Sequence, residues 1–285
     1  MDFETAAQYS DRQQSHALAI SQSGSIVFER YAEGYSREKP HALYSGTKSF
    51  WGVTALKAQE DGLLSLDEPV AKTFDSWLDD ERKARVTIRE LLQLTSGFGF
   101  GGLGSAVPTF EKALAMPLKN EPGRVFTYGG IPLQVFGAVL QRKLTSSELT
   151  PHDYLEARVL DPIGMRVASW RKLADGSQPL PTGAFVAASE WLKYGAYVCN
   201  AADLQPCFDG SSINPKYGLG FWLAPSFEPA YGKIAYASGA AGQVMYIIPS
   251  QKTVVVRFGA SKSFNHQTFL MRLLGAATSA RKRSR

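Results

Sequence analysis

Two cysteines and four histidines are all that this 285-residue chain carries. The histidines (His16, His41, His152 and His266) are scattered, and no two share a helical spacing. Cys199 and Cys207 stand eight apart, which is not the spacing of a zinc site. No metal and no other cofactor is therefore expected. The two cysteines fall in a loop-like segment that also holds Asn200, Pro206, Asp209 and Gly210. They would close one short disulfide loop in an oxidising compartment, or stay as two thiols in a reducing one.

Long apolar runs are missing too. Nothing approaches the roughly 18 residues of a membrane span. Met1 to His16 is acidic and polar and shows no signal-peptide h-region. The chain as written reads as cytoplasmic, or as periplasmic or secreted if a precursor was trimmed. Gly (26) and Pro (15) are near ordinary usage, which excludes collagen-like and low-complexity chains. What is left is one large domain or two small ones, with enough chain to bury a sizeable core.

Charge of one sign is scarce outside the C-terminus. The formal net charge is +5, and Arg281, Lys282, Arg283 and Arg285 account for four of it. The body is nearly neutral, so the basic balance reads as a frayed tail. No basic patch with interleaved aromatics supports a nucleic-acid partner. A small molecule is the expected partner, and the oligomeric state is left open.

Strand-rich ends flank a helix-rich middle. Ala17–Ser21 and Ile26–Tyr31 form a hairpin across Gln22-Ser23-Gly24-Ser25. Four further strands are expected at Tyr217–Leu223, Ile234–Ser238, Gln243–Pro249 and Thr253–Gly259. A final helix follows, with Phe269, Leu270, Leu273 and Leu274 on its apolar face. Ser45–Glu60 is apolar on nearly all sides and reads as a buried helix, stopped by Asp61-Gly62. Thr87-x-x-Glu90 is a capping box, Ile131–Leu144 has helical spacing, and Thr150-Pro151 opens a helix to Leu160. Ser189 reads as the cap of Glu190–Val198. The fold expected is α+β: an antiparallel sheet built from both chain ends, flanked by helices, with an inserted all-helical subdomain. The 285 residues form one unit, with 17–60 and 200–285 as the α/β part and 61–199 as the mainly helical insertion.

Three short stretches carry chemistry. In Ser45-Gly46-Thr47-Lys48, residues three apart share a helix face, so Lys48 projects beside the Ser45 hydroxyl. A serine is a weak nucleophile until a neighbouring base takes its proton, and a desolvated lysine can do that. Taken alone, the same four letters describe a capping serine and a surface lysine. The apolar helix behind them favours chemistry, because a lysine on a buried helix needs a partner or a purpose. Tyr128, after the turn Pro122-Gly123, is placed to pass a proton or to pack as an aromatic core residue. Tyr236 to Gln243 holds small residues between two strands, where an edge N–H completes an oxyanion hole or a plain hairpin turn forms.

In their order these stretches resemble the serine β-lactamase and penicillin-binding-protein superfamily. The branch is that of class C-type β-lactamases, related esterases and 6-aminohexanoate-dimer hydrolases. Further matches are Glu60–Val70, Val86–Gly97, Leu160–Met165, Tyr217–Gly220 and the Gly239–Gln243 turn. The resemblance runs from about Ala17 to Gly259. It implies a β-lactamase/transpeptidase-like fold, with Ser45 as nucleophile and Lys48 as its proton acceptor or electrostatic partner. Tyr128 would share the relay, and which of the two is the base is left open. The backbone N–H groups of Ser45 and Ala240 would hold the oxyanion, and Ser238, Gly239 and Gly130 would line the substrate site.

Two positions depart from the family pattern. Gly130 stands where the second box usually has Asn, and Ala237 stands where the third box, Ala237-Ser238-Gly239, usually has Lys or His. Each lost charge-assisted bond is worth roughly 1.5–3 kcal/mol, so an anionic ligand would bind one to two orders of magnitude more weakly. Arg124 or Arg257 are the candidates to replace the cation in space. The function expected is a serine hydrolase that cleaves a small carboxylic ester, or an amide, through an acyl-enzyme. The alternatives are a β-lactamase or D-amino-acid peptidase, and a catalytically weak binding protein on the same scaffold.

Overall fold

Alternate residues of the central strands feed two separate cores. On one side of the sheet lie Ala17, Ala19, Met245, Ile247, Val254 and Val256. On the other lie Leu18, Ile20, Val244, Tyr246, Ile248 and Val255. Such strands read as continuous apolar runs because both faces are covered. The computed structural model describes residues 1–275. The basic tail with Arg281, Lys282, Arg283 and Arg285 lies outside the described residues.

The main sheet has six antiparallel strands in the order β2-β1-β9-β8-β7-β6. They are β1 (Ser15–Gln22), β2 (Ser25–Tyr31), β6 (Trp222–Leu223), β7 (Ala235–Gly239), β8 (Gln243–Ile248) and β9 (Thr253–Gly259). The sheet joins both chain ends because β1 pairs with β9, Ile20 facing Val255. A short helix, α8 (Glu228–Tyr231), lies between β6 and β7 in the chain, and helix α1 (Phe3–Arg12) packs against α9 (His266–Leu274) and covers one face. Each has a side-chain cap: Asp2 accepts from the Thr5 N–H, and Asn265 from the Thr268 N–H. The other face meets α7 (Ala188–Asn200), which lies across β9, β8 and β1.

Between the sheet halves run α2 (Ser49–Glu60), α3 (Ile88–Leu92), α4 (Phe110–Ala115), α5 (Ile131–Lys143) and α6 (Pro151–Leu155). The Thr87/Glu90 capping box is present with both of its reciprocal bonds. Segment 61–199 is not all helical. It contributes β4 (Ser169–Trp170) and β5 (Ala184–Val186), which pair with β3 (His41–Ala42) in a second sheet of order β3-β5-β4. Strands of two or three residues leave too little periodicity to read in sequence.

Other expectations are corrected locally. Of Tyr217–Leu223 only Trp222 and Leu223 pair with β7. Gly220 takes a positive φ of 80°, and a Cβ on it would sit 2.4 Å from the Lys48 carbonyl oxygen. The segment therefore bends to lie against α2 and cannot run on as a strand. Gly52 matches it from the helix side, where a Cβ would meet the Leu219 carbonyl oxygen at 2.0 Å. Ser189 lies inside α7 and donates to the Arg37 carbonyl, while Ala187 is at the N-cap position. Cys199 is the penultimate residue of α7, Cys207 sits in a 3-10 turn, and both thiols are buried and free.

Candidate active site

Tyr44 takes a left-handed conformation with φ 47°, which is rare for a non-glycine residue and costs roughly 1–3 kcal/mol. It opens a tight 3-10 turn, Tyr44–Lys48, that runs into α2. The turn is buttressed from several sides. Ser49 Oγ donates to the Gly46 carbonyl at 2.8 Å, and the Tyr194 hydroxyl donates to the Ser49 carbonyl at 2.8 Å. Gly46 has no side chain because the Trp191 ring lies 3.0 Å from where its Cβ would be. The Ser45 side chain is left at the surface of a cavity while Thr47 and Lys48 point inward and are buried.

Lys48 is 1% exposed. Its Nζ lies 3.0 Å from Ser45 Oγ and donates to the Pro181 carbonyl at 3.1 Å. It also stands 4.9 Å from the centre of the Tyr128 ring. Burial pushes its amine down to about 7, since no carboxylate is paired with it among the described residues. The Pro181 carbonyl is held in turn: the neighbouring Leu180 N–H donates to Gln134 Oε1 at 2.8 Å, and Gln134 is fully buried on α5. The Trp51 indole donates to the Leu180 carbonyl.

Tyr128 follows the Pro122-Gly123 turn and stacks on Trp222 with ring centroids 5.5 Å apart. Burial raises its phenol above 10, and the nearby Ser45 hydroxyl and Trp222 side chain offset only part of that. At neutral pH the phenol therefore keeps its proton.

The third stretch meets the first through a glycine. A Cβ on Gly239 would lie 2.0 Å from the Leu43 carbonyl oxygen and 3.3 Å from the Gly46 nitrogen. Only a bare backbone lets β7 come this close to the turn that carries Ser45. A cavity of about 470 Å³ opens there, lined by Ser45, Tyr128, Ser238, Gly239 and Ala240. Trp222, Tyr236 and His266 complete the lining, and sequence reading singled out none of them as site residues. Trp222 and Tyr236 face each other across β6 and β7. His266 is the first residue of α9, and no local pattern ties it to Ser238, 28 positions away.

Gly130 does not line this cavity. It is buried, and a Cβ there would sit 1.9 Å from the Gly102 carbonyl oxygen and 2.9 Å from the Pro181 ring. The place of an Asn side chain is filled by neighbouring backbone. Arg124 is exposed and does not line the cavity. Arg257 is fully buried and committed elsewhere. It donates to Ser10 Oγ at 2.9 Å and to the carbonyls of Gly242 and Gln13, with its guanidinium 4.2 Å from the Phe264 ring centre.

Comparison with known proteins decides the family. A family model described as Beta-lactamase matches residues 3–277. The chain belongs to the beta-lactamase family. Its curated relatives include a monacolin J acid methylbutanoyltransferase of Aspergillus terreus, 28% identical over 62% of this chain and 49% of that protein. A lovastatin esterase of Penicillium rubens is 29% identical over 43% of this chain and 37% of that one. The chain thus spans about half the length, or less, of the curated relatives it matches. Among solved structures, a putative 6-aminohexanoate-dimer hydrolase from Bacillus anthracis superposes with a TM-score of 0.75. It is 17% identical, over 94% of this chain and 80% of that one, and so speaks for the fold alone. The chain folds as an antiparallel sheet flanked by helices, as the resemblance implied. No helix among the described residues is long and apolar enough to cross a membrane.

Proposed function

We propose that this protein is a serine hydrolase that cleaves a small, uncharged carboxylic ester through an acyl-enzyme on Ser45. The observation that carries this reading is the buried Lys48 amine, 3.0 Å from Ser45 Oγ, with its basicity lowered to about 7. A sizeable fraction of such an amine is neutral at pH 7, where an ordinary lysine is charged. A neutral amine keeps one N–H on Pro181 and turns its lone pair to the serine hydroxyl.

In the proposed reaction Lys48 takes the Ser45 proton as Oγ bonds to the ester carbonyl carbon. The backbone N–H groups of Ser45 and Ala240 hold the oxyanion of the tetrahedral intermediate. Collapse breaks the bond to the alcohol, which leaves with a proton that Lys48 delivers through the Tyr128 hydroxyl. Water then attacks the acyl group, giving its proton back to the same relay and releasing the acid and free Ser45. Trp222, Tyr236 and Tyr128 offer an aromatic wall, which suits an apolar acyl or alkoxy group better than a carboxylate.

One relative is named for acyl transfer and another for ester cleavage. The two outcomes differ in which acceptor, alcohol or water, takes the acyl group from the serine. The test is turnover of p-nitrophenyl acetate and butyrate by wild type and Ser45→Ala, with an alcohol added in a second series. Turnover that depends on Ser45 supports the reading, and alcohol-dependent ester formation would extend it to transfer. Equal rates in the two proteins would end the nucleophile assignment. Nitrocefin separates the β-lactamase alternative, because rapid cleavage of that anionic lactam contradicts the preference for neutral esters. A fluorophosphonate that leaves Ser45 unmodified would favour a binding protein.

A further inference from the structure

The serine of the third box has a partner that the sequence places far away. His266 Nε2 lies 3.1 Å from Ser238 Oγ, and His266 Nδ1 lies 2.7 Å from the Tyr246 hydroxyl. The three side chains come from three elements, β7, α9 and β8. Tyr246 is fully buried between the sheet and α9, while Ser238 and His266 face the cavity beside Ser45. The Tyr236 ring packs on the imidazole with centroids 4.7 Å apart, tilted by 35°.

Only one arrangement of protons satisfies all three groups. Burial, with Arg257 nearby, lowers the His266 imidazole to about 4, so it is neutral at pH 7 and carries a single N–H. The Tyr246 phenol is held well above 10 by burial and keeps its proton. Placing the imidazole proton on Nδ1 would direct it at Tyr246 and leave the phenol proton with no acceptor among the described residues. Placing it on Nε2 lets Tyr246 donate to Nδ1 while Nε2–H donates to Ser238 Oγ. The Ser238 hydroxyl has no other side-chain partner among the described residues, so its own proton is free for the cavity.

We propose that the Tyr246–His266–Ser238 relay presents the Ser238 hydroxyl as an uncharged hydrogen-bond donor to the substrate, and that it selects neutral esters over carboxylate-bearing ones. The proposal rests on the acyl-enzyme reading and names what that site accepts. His266 is a positioning residue in it: it acts on substrate through Ser238. The relay stands beside the box in which Ala237 leaves no cation. A hydroxyl donor pairs with a carbonyl or ether oxygen but brings no positive charge to offset the desolvation of a carboxylate. An anionic substrate would have to desolvate against the aromatic wall, and among the described residues no lysine or arginine lines the cavity.

Two measurements test this. The first uses the unaltered protein: ¹⁵N NMR of the histidine side chains, with the His266 signals assigned from His266→Gln. The relay requires a protonated Nε2 and an unprotonated Nδ1, unchanged from pH 8 to 6. A protonated Nδ1 would overturn it whatever the variants do. The second compares kcat/KM for p-nitrophenyl butyrate with that for the p-nitrophenyl monoester of glutaric acid. The variants are Ser238→Ala, His266→Phe, both together, and His266→Gln, whose amide N–H can replace Nε2–H. Each single variant should lose about tenfold on the neutral ester, mostly in KM, and the double variant no more than about twofold beyond either. His266→Gln should recover most of the loss, and the carboxylate ester should change little. Losses that multiply to about a hundredfold, or that fall equally on both substrates, would overturn the relay. Fluorophosphonate labelling of wild-type Ser45 keeps the two claims apart. Absence of an adduct ends the acyl-enzyme reading, whereas an adduct alongside additive variants ends only the relay.

Discussion

Lys48 Nζ and Ser45 Oγ stand 3.0 Å apart across one tight turn, with the amine buried and the hydroxyl facing a cavity. The pair joins an interior that strips the amine of water to a surface that admits substrate. The desolvation that costs stability is also what leaves the amine neutral enough to act as a base.

Replacing the amine should therefore separate activity from stability. Lys48→Met is expected to lower kcat/KM for p-nitrophenyl esters by 10²–10⁴-fold. The same change should stabilise the fold by about 2 kcal/mol, because an apolar chain of similar length fills an apolar site. Ester assays and thermal unfolding of the two proteins check both halves.

The pH dependence has a definite sign. With Lys48 at about 7, kcat/KM should rise about tenfold per unit below pH 7 and level off above it. Stability follows the same group. Its folded value of about 7 lies below the ordinary 10.5, so the folded state sheds the proton first. The Lys48 contribution to stability then rises between about pH 7 and 10.5 and is flat below that window. Urea unfolding at several pH values should show this slope in wild type and lose it in Lys48→Met.

Restoring the family's asparagine should not create a lactamase. Gly130→Asn places a Cβ within 1.9 Å of the Gly102 carbonyl oxygen. Destabilisation of at least about 2 kcal/mol is expected, with no gain in nitrocefin turnover. Thermal unfolding and a nitrocefin assay on the purified variant read both.

Arg257 should behave as a structural cation. Removing it as Arg257→Leu leaves Ser10, Gly242 and Gln13 without their donor, at a cost of about 3–5 kcal/mol. Its loss should not change the ratio of rates on neutral and carboxylate-bearing esters in whatever fraction remains folded. A changed ratio would mean that the guanidinium acts on substrate.

Tyr128→Phe removes the hydroxyl and keeps the stack on Trp222. A fall of about 10–10²-fold in kcat with little change in KM is the expected result, read from saturation curves with p-nitrophenyl butyrate.

Much of this was legible before any coordinates. The strands of both chain ends, the buried helix after Ser45 and the Thr87/Glu90 cap all follow from period and punctuation, which act within a few residues. So does the adjacency of Ser45 and Lys48, since one turn of helix fixes it. The short strands β4 and β5, the bend at Gly220 and the cap of α7 were not legible. Each is set by contact with distant backbone and not by its own pattern. The cavity shows the same division. Sequence order marked Ser45, Tyr128 and Ser238 as candidates for one site, but only the close approach of Gly239 to Leu43 brings β7 onto the turn.

The sequence by itself determined the family, the antiparallel sheet and the Ser45–Lys48 spacing, because these depend on local periodicity and on motifs in fixed order. Tertiary structure alone decided that Lys48 is buried with no carboxylate beside it among the described residues, that Gly130 is packed under backbone, and that Arg257 serves the fold. It also decided that His266 meets Ser238. Desolvation and steric exclusion depend on which distant segments fill the space around a side chain, and His266 on α9 meets Ser238 on β7 from 28 positions away.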